Sequence, residues 1–190
     1  MSAQDRFEWM EFHKWKFNGK WYKKLVGDLV VSFRSQYGFL GTYNQDIGVI
    51  PFDRFFLGGD GLSGYRNFDG REIVAMRGYS NYSLTPEYYK DNNLGGTIYN
   101  KSSLELRYPL SLKPTATIYV LGFLEAGNAW LNFDQFKPFD LYRSAGFGVR
   151  VFLPMFGMLG IDWGYGFDEV PGMDDANGGQ FHFSIGQSLN

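Results

Sequence analysis

The chain has 190 residues, a formal net charge of −2, two histidines and no cysteine. This length suits a single domain, and the nearly balanced charge gives no reason to expect a nucleic-acid partner. The absence of cysteine excludes a cysteine nucleophile, and so few histidines nearly exclude a zinc site. Aromatic residues make up 19% of the chain and glycines number 25, which is typical of antiparallel β-structure, including membrane β-barrels.

Residues 1–54 are predicted to contain two strands. The first is predicted over residues 6–17, where aromatic side chains recur on one face, and the second over residues 29–39. The aromatic face of the first strand carries Phe7, Trp9, Trp15 and Phe17. The N-terminus lacks the apolar stretch of a signal peptide, so if the protein is exported we expect this chain to be a fragment of its precursor.

Residues 55–96 are predicted to form one connection, far longer than a hairpin needs. Connections of this length are usually functional or disordered. This one is rich in apolar side chains, so we expect it to be buried against the rest of the protein. Its glycines lack the Gly-Lys-Ser/Thr sequence and the βαβ context of a phosphate-binding loop.

Residues 97–190 are predicted to contain five further strands, about seven in all. In each, an apolar face alternates with a face of glycine, serine, glutamine and charged residues. Most are close to the roughly 9–11 residues that cross a membrane. The predicted connections are short at 111–114 and 154–157 and long at 40–96, 131–142 and 168–179. Alternating short and long connections are typical of membrane barrels.

Two architectures fit this alternation of apolar and polar faces. A soluble sandwich would pack the apolar face inward, whereas a membrane barrel turns it to lipid and lines its lumen with the polar face. Glycine recurs on the polar faces of the last three strands, which fits the close approach of an inserted loop better than a solvated surface. The pattern favours an all-β, antiparallel transmembrane barrel whose long loop enters the lumen.

One constellation of charged residues is a candidate site. Glu105 and Glu125 fall on the polar faces of neighbouring strands, and the planar guanidinium of Arg77 could engage both carboxylates. Gly78 would let the backbone approach the wall, and Tyr79 combines an apolar ring with a polar tip. An exposed arginine, with both acids paired to other bases, is an equally good interpretation. Those bases are Lys101, Arg107 and Arg150.

No catalytic residue, metal site or cofactor is predicted. His182 lies on a polar face, but no Gly-x-Ser-x-Gly elbow accompanies it. The acidic stretch at 174–179 could bind calcium, and it is more simply a solvated hairpin turn.

Several motifs together resemble a known family, the outer-membrane protein assembly factor BamA and its relatives. They are Arg54-Phe55-Phe56 with Gly58-Gly59, Met76-Arg77-Gly78-Tyr79, Ser103-Leu104-Glu105-Leu106, residues 123–130 (FLEAGNAW) and residues 180–187 (QFHFSIGQ). They occur in order across nearly the whole chain, and their style is similar to that of Bacteroidetes members. The resemblance implies the last seven or so strands of a sixteen-stranded barrel.

The resemblance also implies roles for particular residues. The loop-tip motif Met76, Arg77, Gly78 and Tyr79 would fold back into the barrel, with Arg77 paired to Glu105 and Glu125. The last strand would form one side of a lateral seam. Its residues are Gln180, Phe181, His182, Phe183, Ser184, Ile185 and Gly186.

The function implied by the resemblance is assembly of proteins in the bacterial outer membrane, without covalent chemistry. The implied partners are nascent outer-membrane β-barrel proteins, the lipid bilayer and accessory assembly lipoproteins. The chain departs from the family because it lacks the periplasmic repeats and nine of the strands, and because it ends in Ser188-Leu189-Asn190 rather than on an aromatic residue. A related two-partner secretion or export pore is the alternative. An outer-membrane phospholipase is disfavoured because His182 lies on the polar face.

Overall fold

The computed structural model describes residues 12–43, 49, 53–60, 72–86, 95–113, 116–155 and 157–186. The strands are β1 (Phe12–Lys24), β2 (Val30–Thr42), β3 (Phe55–Leu57), β4 (Glu72–Val74), β5 (Ile98–Lys113), β6 (Ala116–Trp130), β7 (Tyr142–Leu153), β8 (Gly157–Gly166) and β9 (Gly178–Gly186). A short 3₁₀ helix spans Phe133–Gln135. In this part of the chain no helix has the length and apolar character that crossing a membrane requires.

Seven strands form one antiparallel sheet in the order β1-β2-β5-β6-β7-β8-β9. Each of them pairs with the next along the chain, and the long connection between β2 and β5 carries the small parallel pair β3–β4. Among the described residues, β1 and β9 do not pair with each other, so each has one unpaired edge. The sheet confirms the predicted all-β antiparallel architecture.

The apolar face of the sheet is its exposed face. Leu110, Phe147 and Phe181 are each more than 60% exposed, at 62%, 63% and 69%. On the opposite face Ser32 and Asp162 are buried. A soluble sandwich buries its apolar face, so this reversed distribution indicates the wall of a membrane barrel, whose outer side contacts lipid.

The buried core lies between the inner face of the sheet and the long connection. Its members from the connection include Phe55, Leu57, Met76 and Tyr79, and those from the wall include Leu40, Tyr99 and Ala129. The rings of Phe55 and Tyr99 meet edge to face, with centroids 4.7 Å apart. Burying a large apolar side chain contributes roughly 1.5–3 kcal/mol. Several such side chains therefore hold the connection against the wall.

The first strand extends further toward the C-terminus than predicted. Of the predicted residues 6–17, residues 6–11 lie outside the described residues, and residues 12–17 lie in β1, which continues to Lys24. Its second half is polar in sequence, yet Trp21 lies opposite Phe33 of β2. Aromatic cross-strand pairs stabilise a sheet, which explains why the strand continues. Of the four predicted aromatic residues, Trp15 and Phe17 are exposed on β1. Phe7 and Trp9 lie outside the described residues.

The predicted short connection at 111–114 was also misplaced. β5 continues to Lys113, and its register with β6 shifts between Pro109 and Ser111. Proline cannot donate a ladder hydrogen bond, and such an irregularity accommodates it inside a strand. β5 therefore ends at Lys113 and β6 begins at Ala116. At the other end of the sheet, β2 continues to Thr42, inside the predicted long connection.

Candidate functional site

The loop tip, defined here as residues 75–80, is positioned by backbone hydrogen bonds on both sides. The Met76 amide donates to the Gly59 carbonyl at 2.8 Å. The Ser80 amide donates to the carbonyl of Ala176 at 2.8 Å, between β8 and β9. Ala176 is buried, so the acidic turn at 174–179, predicted to be solvated, takes part in packing. These contacts direct Arg77 and Gly78 toward the inner face of the sheet.

Arg77 is brought together with both predicted carboxylates. Its Nη2 atom donates to Glu105 Oε1 and to Glu125 Oε1, each at 2.7 Å. Its backbone amide donates to Glu125 Oε2 at 2.9 Å. Glu125 thus receives the side chain and the main chain of the same residue, a charge-assisted arrangement that fixes the direction of the tip.

Two further wall residues face the guanidinium. The Phe123 ring lies beneath it, with 3.6 Å between Arg77 Cζ and the ring centroid. Arg77 Nη1 is buried and has no hydrogen-bond partner among the described residues, and Asp162 Oδ1 lies 3.6 Å from it. A cation over an aromatic face is stabilised by the ring quadrupole. The pocket for Arg77 is therefore built by β5, β6 and β8 together.

The wall acids are also paired with wall bases. Lys101 lies 3.0 Å from Glu125, Arg107 lies 2.8 Å from Glu105, and Arg150 lies 2.7 Å from Asp162. Arg77 is buried, so the alternative of an exposed arginine is wrong. Its second element is present in part, because Glu125 also binds Lys101 and Glu105 also binds Arg107, whereas Arg150 binds Asp162 instead. We call these residues the Arg77 cluster. It contains four cations and three carboxylates, so each carboxylate is compensated and one net positive charge remains in a largely desolvated site.

The ionisation of the tip follows from its surroundings. Burial alone would lower the pKa of Arg77, but the carboxylates of Glu125 and Glu105 outweigh burial and raise its pKa above the ordinary value. Burial raises the pKa of Tyr79 to about 12. The Tyr79 hydroxyl donates to the carbonyl of Arg143 at 2.8 Å. The tip therefore carries a fixed positive charge beside a neutral phenol.

Gly78 packs directly on the backbone of β8. Its φ angle is +85°, and an added Cβ would lie 2.7 Å from the Gly166 amide nitrogen. Reciprocally, a Cβ on Gly164 would lie 2.7 Å from the Gly78 nitrogen. Only glycine suits such a left-handed conformation and such close contact. Of the recurrent glycines on the polar face, Gly164 and Gly166 of β8 thus form the surface that the tip contacts.

The tip also reaches the last strand. The Gly78 amide donates to His182 Nε2 at 2.8 Å, and His182 is 4% exposed. His182 lies opposite Asp162 in the β8–β9 register. The remaining predicted seam residues alternate along β9: Phe181, Phe183 and Ile185 are exposed, whereas Gln180 and Ser184 are partly buried.

A second set of ion pairs joins the long connection to β1. Lys14 lies 2.8 Å from Glu72 and 3.2 Å from Asp53, and Lys16 lies 3.2 Å from Glu72. We call these four residues the Lys14 cluster. The long connection is thereby attached to both edge strands of the sheet, through Lys14 on β1 and His182 on β9.

Sequence reasoning missed three members of the site, Phe123, Asp162 and His182, as partners of the tip. His182 had been assigned to a polar face, and Asp162 lies between the apolar residues Ile161 and Trp163, so alternation held the signal that both face the lumen. Phe123 was on the same face as Glu125, two positions away. Among the described residues, no group of three or more histidine, aspartate or glutamate side chains could hold a metal ion.

Comparison with known proteins assigns the chain to a family. A model of the Omp85 superfamily domain matches residues 5–189. The matched range contains all nine strands, the loop tip and its wall partners. No match was found among curated proteins. The narrower resemblance to BamA, and to its Bacteroidetes members, stays a prediction.

Proposed function

The chain belongs to the Omp85 superfamily, and on this premise we propose that it takes part in assembling and inserting β-barrel proteins into the bacterial outer membrane. One observation supports this most. β9 combines an outward apolar face with an edge that is unpaired in the described part of the sheet. A nascent β-barrel protein needs a strand template and an apolar surface at the same place, and β9 has both.

The proposed reaction is strand addition. An unpaired strand edge offers N–H and C=O groups that a client strand can satisfy, as in other cases of β-augmentation. In hydrocarbon an unsatisfied backbone group is costly, so client pairing at β9 is favoured over solvation of either edge. No residue of this chain forms or breaks a covalent bond in this proposal.

The loop tip contributes rigidity. It joins β5, β6 and β8 through the Arg77 cluster and reaches β9 through His182. A wall braced in this way keeps its register while one edge is unpaired. The partners in this proposal are client barrels and the bilayer, with accessory lipoproteins added by the family resemblance.

A secretion or export pore is the second candidate. A polar cavity of about 290 Å³ lies beside the tip, lined by charged wall residues that include Lys20, Arg34 and Glu105. Such a lining suits passage of a polar chain once the tip has left the lumen. The tip occupies the lumen, which favours the assembly role, whereas the charged lining of the cavity favours a pore.

Cross-linking separates client pairing from passage. The chain contains no cysteine, so Ser184→Cys on β9 introduces a unique thiol. We expect it to form disulfides with cysteines placed in the terminal strand of a client barrel during assembly into vesicles. Ser103→Cys is the control, since β5 is paired on both edges. Equal cross-linking at both positions, or ion conductance through protein-loaded vesicles without client folding, would argue against the assembly role.

A further inference from the structure

One hydrogen bond joins the loop tip to the last strand through an imidazole. The Gly78 N–H donates to His182 Nε2, and 104 residues separate the two. His182 is nearly fully buried. Every other polar contact of the tip with the wall described above uses carboxylates or carbonyls as acceptors.

The direction of this hydrogen bond fixes the state of the imidazole. Nε2 can accept a proton donor only if it carries no hydrogen, so His182 must be neutral with its hydrogen on Nδ1. A protonated imidazole donates from both nitrogens. Its Nε2–H would point at the Gly78 N–H, and the attraction would become a repulsion.

The neighbouring charges do not replace this contact. The ionisable groups that face His182 from β6, β8 and the long connection are Glu125, Asp162, Asp60 and Arg77. Asp162 is bound to Arg150 through two hydrogen bonds of 2.7 Å, and Glu125 is bound to Arg77 and Lys101. Glu125 and Asp162 are thus engaged by these cations, and the acceptor of the Gly78 amide is His182 Nε2.

We propose that His182 is a positioning residue that ties the loop tip to β9 only in its neutral form, so that its protonation releases the tip from the last strand. The tip remains attached to β5 and β6 through Arg77, because no histidine takes part in those contacts. The consequence is selective, because the tip loses its contact with the edge strand β9 while it stays bound to β5 and β6 in the centre of the sheet.

Release of the tip from β9 when His182 is protonated does not depend on the proposed assembly function. Any effect of this release on client insertion rests on that function. The test therefore measures the hydrogen bond itself, so that failure of this inference and failure of the assembly role are observed separately.

The measurement is hydrogen–deuterium exchange of the full chain in lipid vesicles, followed in the peptide that contains Gly78. Between about pH 8 and about pH 4.5, an interval that includes the ordinary range of His titration and extends below it, wild-type protection should fall. After correction for intrinsic exchange, we expect a fall of about fivefold to tenfold, the size of one lost hydrogen bond.

Two variants isolate the role of the imidazole. His182→Gln keeps an acceptor that does not titrate, so protection should be equal at both pH values. His182→Leu removes the acceptor, so protection should be low at both. His13→Gln is the matched control, because His13 is the other histidine of the chain, and this variant should keep the wild-type pH response.

Three results would overturn the proposal. The first is a pH response in His182→Gln equal to that of wild type. The second is full protection in His182→Leu at about pH 8. The third is loss of the response in His13→Gln. If His182→Leu does not fold, the comparison between wild type and His182→Gln still decides.

Discussion

The Arg77 cluster and the Lys14 cluster use the same chemistry at nearly the same distances, yet they differ in burial. Their shortest ion pairs measure 2.7 Å and 2.8 Å. The Glu125 side chain is 2% exposed, whereas the Glu72 and Asp53 side chains are 26% and 41% exposed. Removing one partner of a buried pair leaves a desolvated charge, whereas water replaces a partner at the surface. Burial, rather than distance, therefore decides which cluster holds the long connection.

The largest effect is expected for Arg77→Ala. It leaves Glu125 with one cation and removes the hydrogen bonds from Nη2, so we expect the docking of the tip to weaken by roughly 3–5 kcal/mol. The tip should become sensitive to protease in vesicles, while strand content by circular dichroism stays constant. Arg77→Lys is the control and should be intermediate, because lysine keeps the charge but not the planar fork. A tip that stays resistant in Arg77→Ala would refute the anchoring role.

A smaller effect is expected for single acids of the Arg77 cluster. Glu125→Gln should weaken docking more than Glu105→Gln, because Glu125 also accepts the Arg77 amide and is more deeply buried. We expect roughly 1–3 kcal/mol for Glu125→Gln and less for Glu105→Gln. Protease resistance of the tip in increasing urea gives both values. The reverse order would show that depth of burial does not rank these pairs.

Exposure to alkaline pH tests how much the neutral hydroxyl of Tyr79 contributes to docking of the tip. The folded pKa of Tyr79 is raised to about 12, above an unfolded value of about 10. Its contribution is therefore complete below about pH 10 and is lost as the pH rises toward about 12. Tip protection should decrease over this interval in wild type. In Tyr79→Phe, tip protection should be lower than in wild type at the start of this interval and should decrease less across it. An unchanged profile in that variant would assign the loss to another group.

The smallest effect is expected for Lys14→Ala. Ion pairs that are partly exposed contribute about 0–1 kcal/mol, and salt screens them. We expect a small loss of protection near β4 at low ionic strength that disappears at high salt. Arg77→Ala should show little dependence on salt in the same assay. A large effect of Lys14→Ala that does not depend on salt would remove the distinction between the clusters.

The sequence predicted the wall well because its alternation has period two and assigns each side chain to a face. It also brought Arg77, Glu105 and Glu125 together, since faces and strand order bring the two acids close. It could not predict that Gly78 and His182 meet, because that contact depends on the path of a long connection across the sheet. It misplaced the ends of β1 and β5, where pairing with a neighbour overrides local polarity and proline.

The contact between Gly78 and the glycines of β8 has a consequence for the order of folding. Gly164 and Gly166 belong to β8, and the acceptor of the Gly78 amide belongs to β9. The contacts of the tip are therefore incomplete until β8 and β9 have joined the sheet. Contacts so distant in sequence form late because they require closure of a large loop. The tip precedes β8 and β9 in the chain yet completes its docking after they have paired, so its docking reports that these two strands have joined the sheet.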